Sequence, residues 1–265
     1  MLWGEAIKIY LFLKERINLI HYLKFIVKQL GHMQLSNYML WAFSLGVQLM
    51  IFLSAPITPL SILTFIGTSL GVLTVVAINA TRSINGWFGI LSGICFIIIG
   101  YSAKNYLSIG EQLAYIATLD IPVLMSTTWN KNLASKIRHF GLKQWVISLA
   151  FTIIVWLASS NLIGYLTNDP RPMIDGLSFA ICLTAGLVCT LRYSNQYVWW
   201  LASGIIQIIL WTITAKQGDA SIGMLVNSSI YVANDLFAFT LSPWYNNRAK
   251  ARVEAQDRKM NSEIE

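Results

Sequence analysis

Eight apolar stretches of 18–21 residues constrain this chain more than any other feature; they run at about 37–54, 60–80, 86–103, 109–128, 144–163, 175–194, 197–215 and 222–241. A hydrocarbon core about 30 Å thick needs roughly 20 helical residues to cross it. Only closed hydrogen bonding survives there, so helices are the expected element. The breaks hold Pro, Gly or charge: APITP at 55–59, TRSIN at 81–85, WNKNLASKIRH at 129–139, TNDPRP at 167–172 and KQGDAS at 216–221. Pro59 suits a first helical turn, where its missing N–H costs nothing. Charged residues make up 12% of the chain, about half the share of an ordinary soluble domain. The reading is therefore an all-α integral membrane protein with about eight transmembrane helices.

The basic residues decide an orientation. With both termini in the cytoplasm, Lys8, Lys14, Arg16, Lys24, Lys28, Arg82, Lys131, Lys136, Arg138, Lys143, Arg192, Arg248, Lys250, Arg252, Arg258 and Lys259 all fall inside. Only Lys104, Arg171 and Lys216 fall outside, a 16:3 split that the positive-inside rule reads strongly. The same distribution accounts for the net charge of +7 without nucleic acid as a partner. Residues 3–30 mix apolar residues with Lys and read as an interfacial helix on the inner leaflet. The first residues lack an apolar core before a small-residue cleavage site, so no cleaved signal peptide is expected.

The chain also repeats itself. Ser92-Gly93-Ile94 matches Ser203-Gly204-Ile205, Ala103-Lys104 matches Ala215-Lys216, and Ser108-Ile109-Gly110 matches Ser221-Ile222-Gly223. Asp120 matches Asp235 and Trp129 matches Trp244, at offsets growing from 111 to 115. Three helices per copy with one inverting helix between them give parallel repeats in a 3+1+3 plan, with one extra helix in front. The expected divisions are a cytoplasmic or interfacial segment 1–36, an extra helix 37–54, repeat one 60–128, a linker helix 144–163, repeat two 175–241 and a basic cytoplasmic tail 245–265. Parallel repeats about an axis along the membrane normal are a transporter architecture, with substrate held between them.

Two polar stripes stand out. At 100° per residue, Gln196, Trp200, Gly204, Gln207 and Trp211 fall within about 80° of one another. The following helix aligns Asn227, Tyr231 and Asn234 at i, i+4 and i+7, with Asp235 just off that face. Intramembrane amides and acids are costly unless they face a cavity or a partner. Trp200 and Trp211 also fit an interfacial belt, and Asn227 and Asn234 also fit helix–helix hydrogen bonds. Taken together, indoles beside amides suit a flat, polar, cationic ring carrying hydrogen-bonding groups. Asp120 and Asp235 read first as structural acids paired with Arg82, Arg192 or a backbone amide, and they are taken as the acids within the spans. Pro122 is expected to bend its helix. His21, His32 and His139 fall in cytoplasmic segments.

Several function classes drop out. There is no GxxxxGK[ST], HExxH or GxSxG motif, which excludes ATP-driven transport within the chain and gives no catalytic residue. Cys95, Cys182 and Cys189 sit in apolar stretches without metal-ligand spacing, so neither metal nor cofactor is expected. Asp120 and Asp235 acting as paired carboxylates would make a membrane-embedded enzyme, but they lack a nucleophile or metal set.

The 3+1+3 plan, the tryptophan-bounded repeats and the run Gln196…Trp200…Gln207…Trp211…Asn227…Tyr231…Asn234…Trp244 resemble the PnuC family of vitamin transporters, over roughly 60–244. That resemblance implies a SWEET-like fold, a homotrimer, and facilitated uptake of nicotinamide riboside at a bacterial inner membrane. It further implies trapping of the riboside by a soluble riboside kinase. Related Pnu transporters carry thiamine, riboflavin or deoxynucleosides, and spacing does not separate these. Substrate-binding roles carry over to Gln196, Trp200, Gln207, Trp211, Asn227, Tyr231 and Asn234.

Overall fold

A computed structural model of the chain describes residues 19–262, apart from 32, 127, 130–132 and 221. The described residues form helices joined by short turns, with no strand beyond one isolated bridge between Arg138 and Tyr193. In chain order they are α1 Leu19–Leu30, α2 Leu35–Leu53, α3 Pro59–Asn79, α4 Asn85–Ser102, α5 Tyr106–Tyr115, α6 Ile121–Met125, α7 Leu142–Leu166, α8 Pro172–Thr190, α9 Gln196–Lys216, α10 Ile222–Leu241 and α11 Asn247–Ser262. Seven of them (α2, α3, α4, α7, α8, α9 and α10) are long and apolar enough to cross a membrane.

The stretch expected as a helix at 109–128 is a broken path. α5 runs into a π turn, Ile116–Asp120, and then into the short α6. The cause is Pro122, which cannot donate to Thr118. The freed Thr118 carbonyl instead accepts from Thr190 Oγ1 on α8 at 2.7 Å. A missing backbone hydrogen bond thus becomes a tie between two helices distant in sequence.

Helix ends follow local chemistry. Thr58 caps α3 by accepting from Ser61 N at 3.1 Å, while Ser61 Oγ accepts from Thr58 N at 2.8 Å, with Pro59 following. α3 stops at Thr81, φ 59°, where Arg82 N donates to Ala77 O. α8 stops in the same way at Arg192, φ 67°, with Tyr193 N on Val188 O. α4 stops at Lys104, φ 56°, and α9 at Gly218, φ 78°. Each of the four is a left-handed residue closing a six-to-one turn. They fall at matching places in the two halves of the chain.

Packing carries the same correspondence. α3 packs on α4 and α10, and α8 packs on α9 and α5. The first helix of each half therefore lies against the third of the other. Trp129 and Trp244 meet with ring centroids 5.9 Å apart, inside a core with Ile78, Leu119, Cys189 and Tyr197. Trp244 Nε1 donates to Ile78 O at 2.8 Å. Outward faces stay apolar and uncovered, as with Val146, Ile153, Ile154 and Leu162 on α7 and Met39, Phe43 and Met50 on α2. Surfaces of that extent belong against lipid or protein.

Polar networks close both ends of the bundle. At one end Arg171 is buried, bonded to Asn105 Oδ1 at 3.0 Å, Ala103 O at 2.6 Å, Gln217, and Asp219 Oδ2 at 3.1 Å. Lys104 meets Asp219 at 3.0 Å. These hydrogen bonds, Lys104 first and Arg171 second, hold the Asp219 carboxyl below its usual range. Asp175 accepts from Leu107 N at 2.7 Å and Ser108 Oγ at 3.0 Å, completing the start of α5. At the other end the expected tail 245–265 is largely helical as α11, which buries Ala249, Val253 and Asp257 on one face. Asp257 pairs with Arg82. Gln29 of α1 bonds Ser83 Oγ and Ile84 N at this same end. The remainder of the interfacial expectation, 3–18, lies outside the described residues.

Candidate substrate cavity

α9 is built around two i, i+4 pairs. Trp200 Nε1 donates to Gln196 Oε1 at 3.1 Å, and Trp211 Nε1 donates to Gln207 Oε1 at 2.6 Å. Each amide fixes an indole by its polar edge and leaves the ring face to whatever lies beside it. Gly204 lies between them, and a side chain there would collide with Val232 of α10. The stripe is therefore drawn tight against α10, which carries Asn227, Tyr231 and Asn234.

Between α9, α10, α3 and the α5–α6 path lies a cavity of about 120 Å³. Six of the seven residues expected from the sequence line it: Trp200, Gln207, Trp211, Asn227, Tyr231 and Asn234. Gln196 does not; it is fully buried behind Trp200 and reaches the cavity only through that indole. Tyr115 backs Trp200 with ring centroids 5.6 Å apart. Tyr231 crosses to α3, where its hydroxyl occupies the space that a side chain at Gly71 would need. Asn234 accepts from Asn79 Nδ2 at 3.1 Å and donates to Asp235 Oδ1 at 3.3 Å. Asn227 Oδ1 is buried with no protein partner and so keeps an acceptor for a ligand.

The wall carries three acids and, among the described residues, no Lys, Arg or His. The expected partners of Asp120 and Asp235 are not the ones found. Arg82 is drawn to Asp257 of α11, Asp235 is held by Asn234, and the Asp120 carboxylate lies against Gly89 at the π turn. Both face the cavity. The third acid, Glu111, is absent from the sequence reading, which took Asp120 and Asp235 as the acids within the spans. Glu111 is 4% exposed, and both its oxygens accept from Gln207 Nε2 at 3.1 Å. Ser178 Oγ adds a longer contact at 3.4 Å. Matching positions between the repeats could not reveal it, because the residues some 113–115 further on, Met224 to Val226, are apolar. A second acid in the apolar stretch that also holds Asp120 was the available signal.

Indole faces, amides and acidic side chains converge on this cavity, an arrangement suited to holding a flat polar ligand. Comparison with known proteins agrees. Residues 61–246 match the family described as nicotinamide mononucleotide transporter. The nicotinamide riboside transporter PnuC of Neisseria mucosa is 24% identical over 208 residues, covering 74% of this chain and 76% of that protein. The protein of the same name from Haemophilus influenzae is 22% identical over 189 residues, covering 69% and 79%. The crystal structure of the vitamin B3 transporter PnuC superposes with a TM-score of 0.70 at 18% identity, covering 89% of this chain and 99% of that one. This chain belongs to the nicotinamide mononucleotide transporter family, the PnuC family of multi-pass membrane transporters.

Proposed function

We propose that this protein is a facilitator for nicotinamide riboside, and that the riboside, not the mononucleotide, is its cargo. The observation that carries the choice is the cavity wall: three acidic side chains, two anchored indoles and no basic residue among the described ones. A phosphate monoester brings about −1.5 to −2 charge and needs Lys, Arg or helix N-termini. A pyridinium ring brings one positive charge and a flat face, and Trp200 and Trp211 offer stacking surfaces worth up to about 2 kcal/mol when desolvated. Gln207, Asn227 and Asn234 suit a carboxamide and sugar hydroxyls. The substrate-binding set is Trp200, Gln207, Trp211, Asn227, Tyr231 and Asn234, with Gln196 orienting Trp200.

The broken path Tyr106–Met125 is taken as an eighth span, since its 20 residues rise about 30 Å when helical. The recurring left-handed stops and the crossed packing support a 3+1+3 plan of parallel repeats with α2 in front. The 16:3 charge split supports cytoplasmic termini. Ligand sites usually enclose roughly 300–1,000 Å³, so a riboside must spread the walls of this one. The π turn, where Pro122 withholds one backbone donor, is the element best suited to yield. Outside this chain, a soluble riboside kinase would make the product anionic and keep the gradient inward; assembly is taken as a homotrimer.

The test is a calorimetric titration of the purified protein against nicotinamide riboside, its mononucleotide, thiamine, riboflavin and a deoxynucleoside. The expected result is binding of the riboside with the mononucleotide at least tenfold weaker. Preference for the mononucleotide or for another vitamin would overturn the assignment.

A further inference from the structure

We infer that Glu111 is the carboxylate that balances a cationic ring in this cavity and makes the protein discriminate a charged ligand from a neutral one of the same shape. The inference rests on the riboside reading and assigns a role to a residue that the two stripes do not contain.

The geometry is one continuous linkage. Gln207 Oε1 accepts from Trp211 Nε1 at 2.6 Å, and its Nε2 donates to both Glu111 oxygens at 3.1 Å. A single amide thus locks an acidic side chain and an indole face at a fixed spacing on one wall. Both features recognise the same thing, a flat cation. Glu111 is buried, so any charge it bears is screened little by solvent. No basic side chain lines the cavity among the described residues to neutralise it. Its neighbours include the amide of Gln207, the Cys182 thiol and, at longer range, Ser178 and Gln112, none of them basic.

The other two acids are placed differently. Asp235 is held by the amide of Asn234, and Asp120 sits against Gly89 at the π turn. Asp120 follows Leu119 and Asp235 neighbours Tyr197; those two residues belong, with Ile78, to a core cluster separate from that of Trp211. Glu111 is the acid tied to the indole stripe.

The experiment compares nicotinamide riboside with its 1,4-dihydro form, which keeps the carboxamide and ribose but has a neutral ring. Both are titrated into the wild-type protein and into Glu111→Gln, which retains an acceptor for Gln207. The wild type should prefer the cation by roughly tenfold or more, as for a buried hydrogen bond that gains a charge. Glu111→Gln should lose most of that preference by weakening the cation, with the neutral form held within about threefold; that retained binding also reports a folded variant. Equal wild-type affinity for the two forms overturns the inference without any variant. So does a preference that survives Glu111→Gln. Failure of the wild type to bind the riboside at all counts against the riboside reading instead.

Discussion

Gln207 has two polar ends and uses both, one on Trp211 and one on Glu111. Truncation to Ala removes the clamp on the indole and leaves a buried carboxylate without its donor. Asn227→Ala removes an acceptor that no protein group uses. The first loss unpairs Trp211 and Glu111 and the second leaves a ligand donor unpaired, each a cost of about 1–3 kcal/mol, or roughly 5- to 150-fold in riboside affinity. Titration of folded Gln207→Ala and Asn227→Ala checks this; unchanged affinity in both would return these residues to helix packing. Gly71→Ala probes the opposite wall. The added methyl must displace the Tyr231 hydroxyl or Phe96, so affinity should fall although residue 71 offers a ligand no polar group. The two stripes were legible because 100° steps put amides and indoles on one face of each helix. Glu111 was not, because its partners arrive from helices whose proximity no local pattern announces. Gln196 was legible as part of a stripe, but its place behind Trp200 depends on a side-chain bond.

At the scale of elements, boundaries were readable wherever Pro, Gly or charge interrupts hydropathy, and the observed spans sit within a few residues of those expected. What hydropathy could not report is the π turn. Pro122 signals a disturbance, but its form depends on Thr190 arriving from α8 to satisfy the Thr118 carbonyl. The fate of Arg82 depends likewise on a distant element. From sequence its partners were Asp120 or Asp235, yet α11 folds back and supplies Asp257. The Arg171 network is a similar long-range construction, joining three inter-helix turns. Arg171→Met should leave Asp219, Asn105 and the Ala103 carbonyl short of a donor and cost about 3 kcal/mol, read as a lower midpoint in detergent. Asp219 adds a pH dependence to the same contact. Its carboxyl is held below the ordinary value of 3.8, so it contributes stability above that value and loses it as pH falls through the lowered one. The midpoint of the wild type should therefore drop on acidification below about pH 4 more steeply than that of Asp219→Asn.

For the molecule as a whole, helices from both ends of the sequence meet around a polar cavity, the arrangement from which the repeat plan is proposed. The charge split is the basis of its proposed orientation. A cysteine in place of Asn168 should react with an impermeant thiol reagent from outside in intact cells, and one in place of Ala255 only after permeabilisation; the reverse pattern would invert the proposed orientation. Energetics follow from the cargo. A cation crossing a negative-inside membrane gains about 2.3 kcal/mol per 100 mV, roughly fifty-fold in concentration, without any co-transported ion. Three acids on the cavity wall leave open a second arrangement in which protons are carried as well. Flux into proteoliposomes separates the two. With no ion gradient and no potential, labelled nicotinamide riboside should equilibrate and stop; with potential imposed, it should accumulate to the level the potential sets. Concentrative uptake at zero potential, driven by an inward proton or sodium gradient and abolished by Glu111→Gln, Asp120→Asn or Asp235→Asn, would contradict the account.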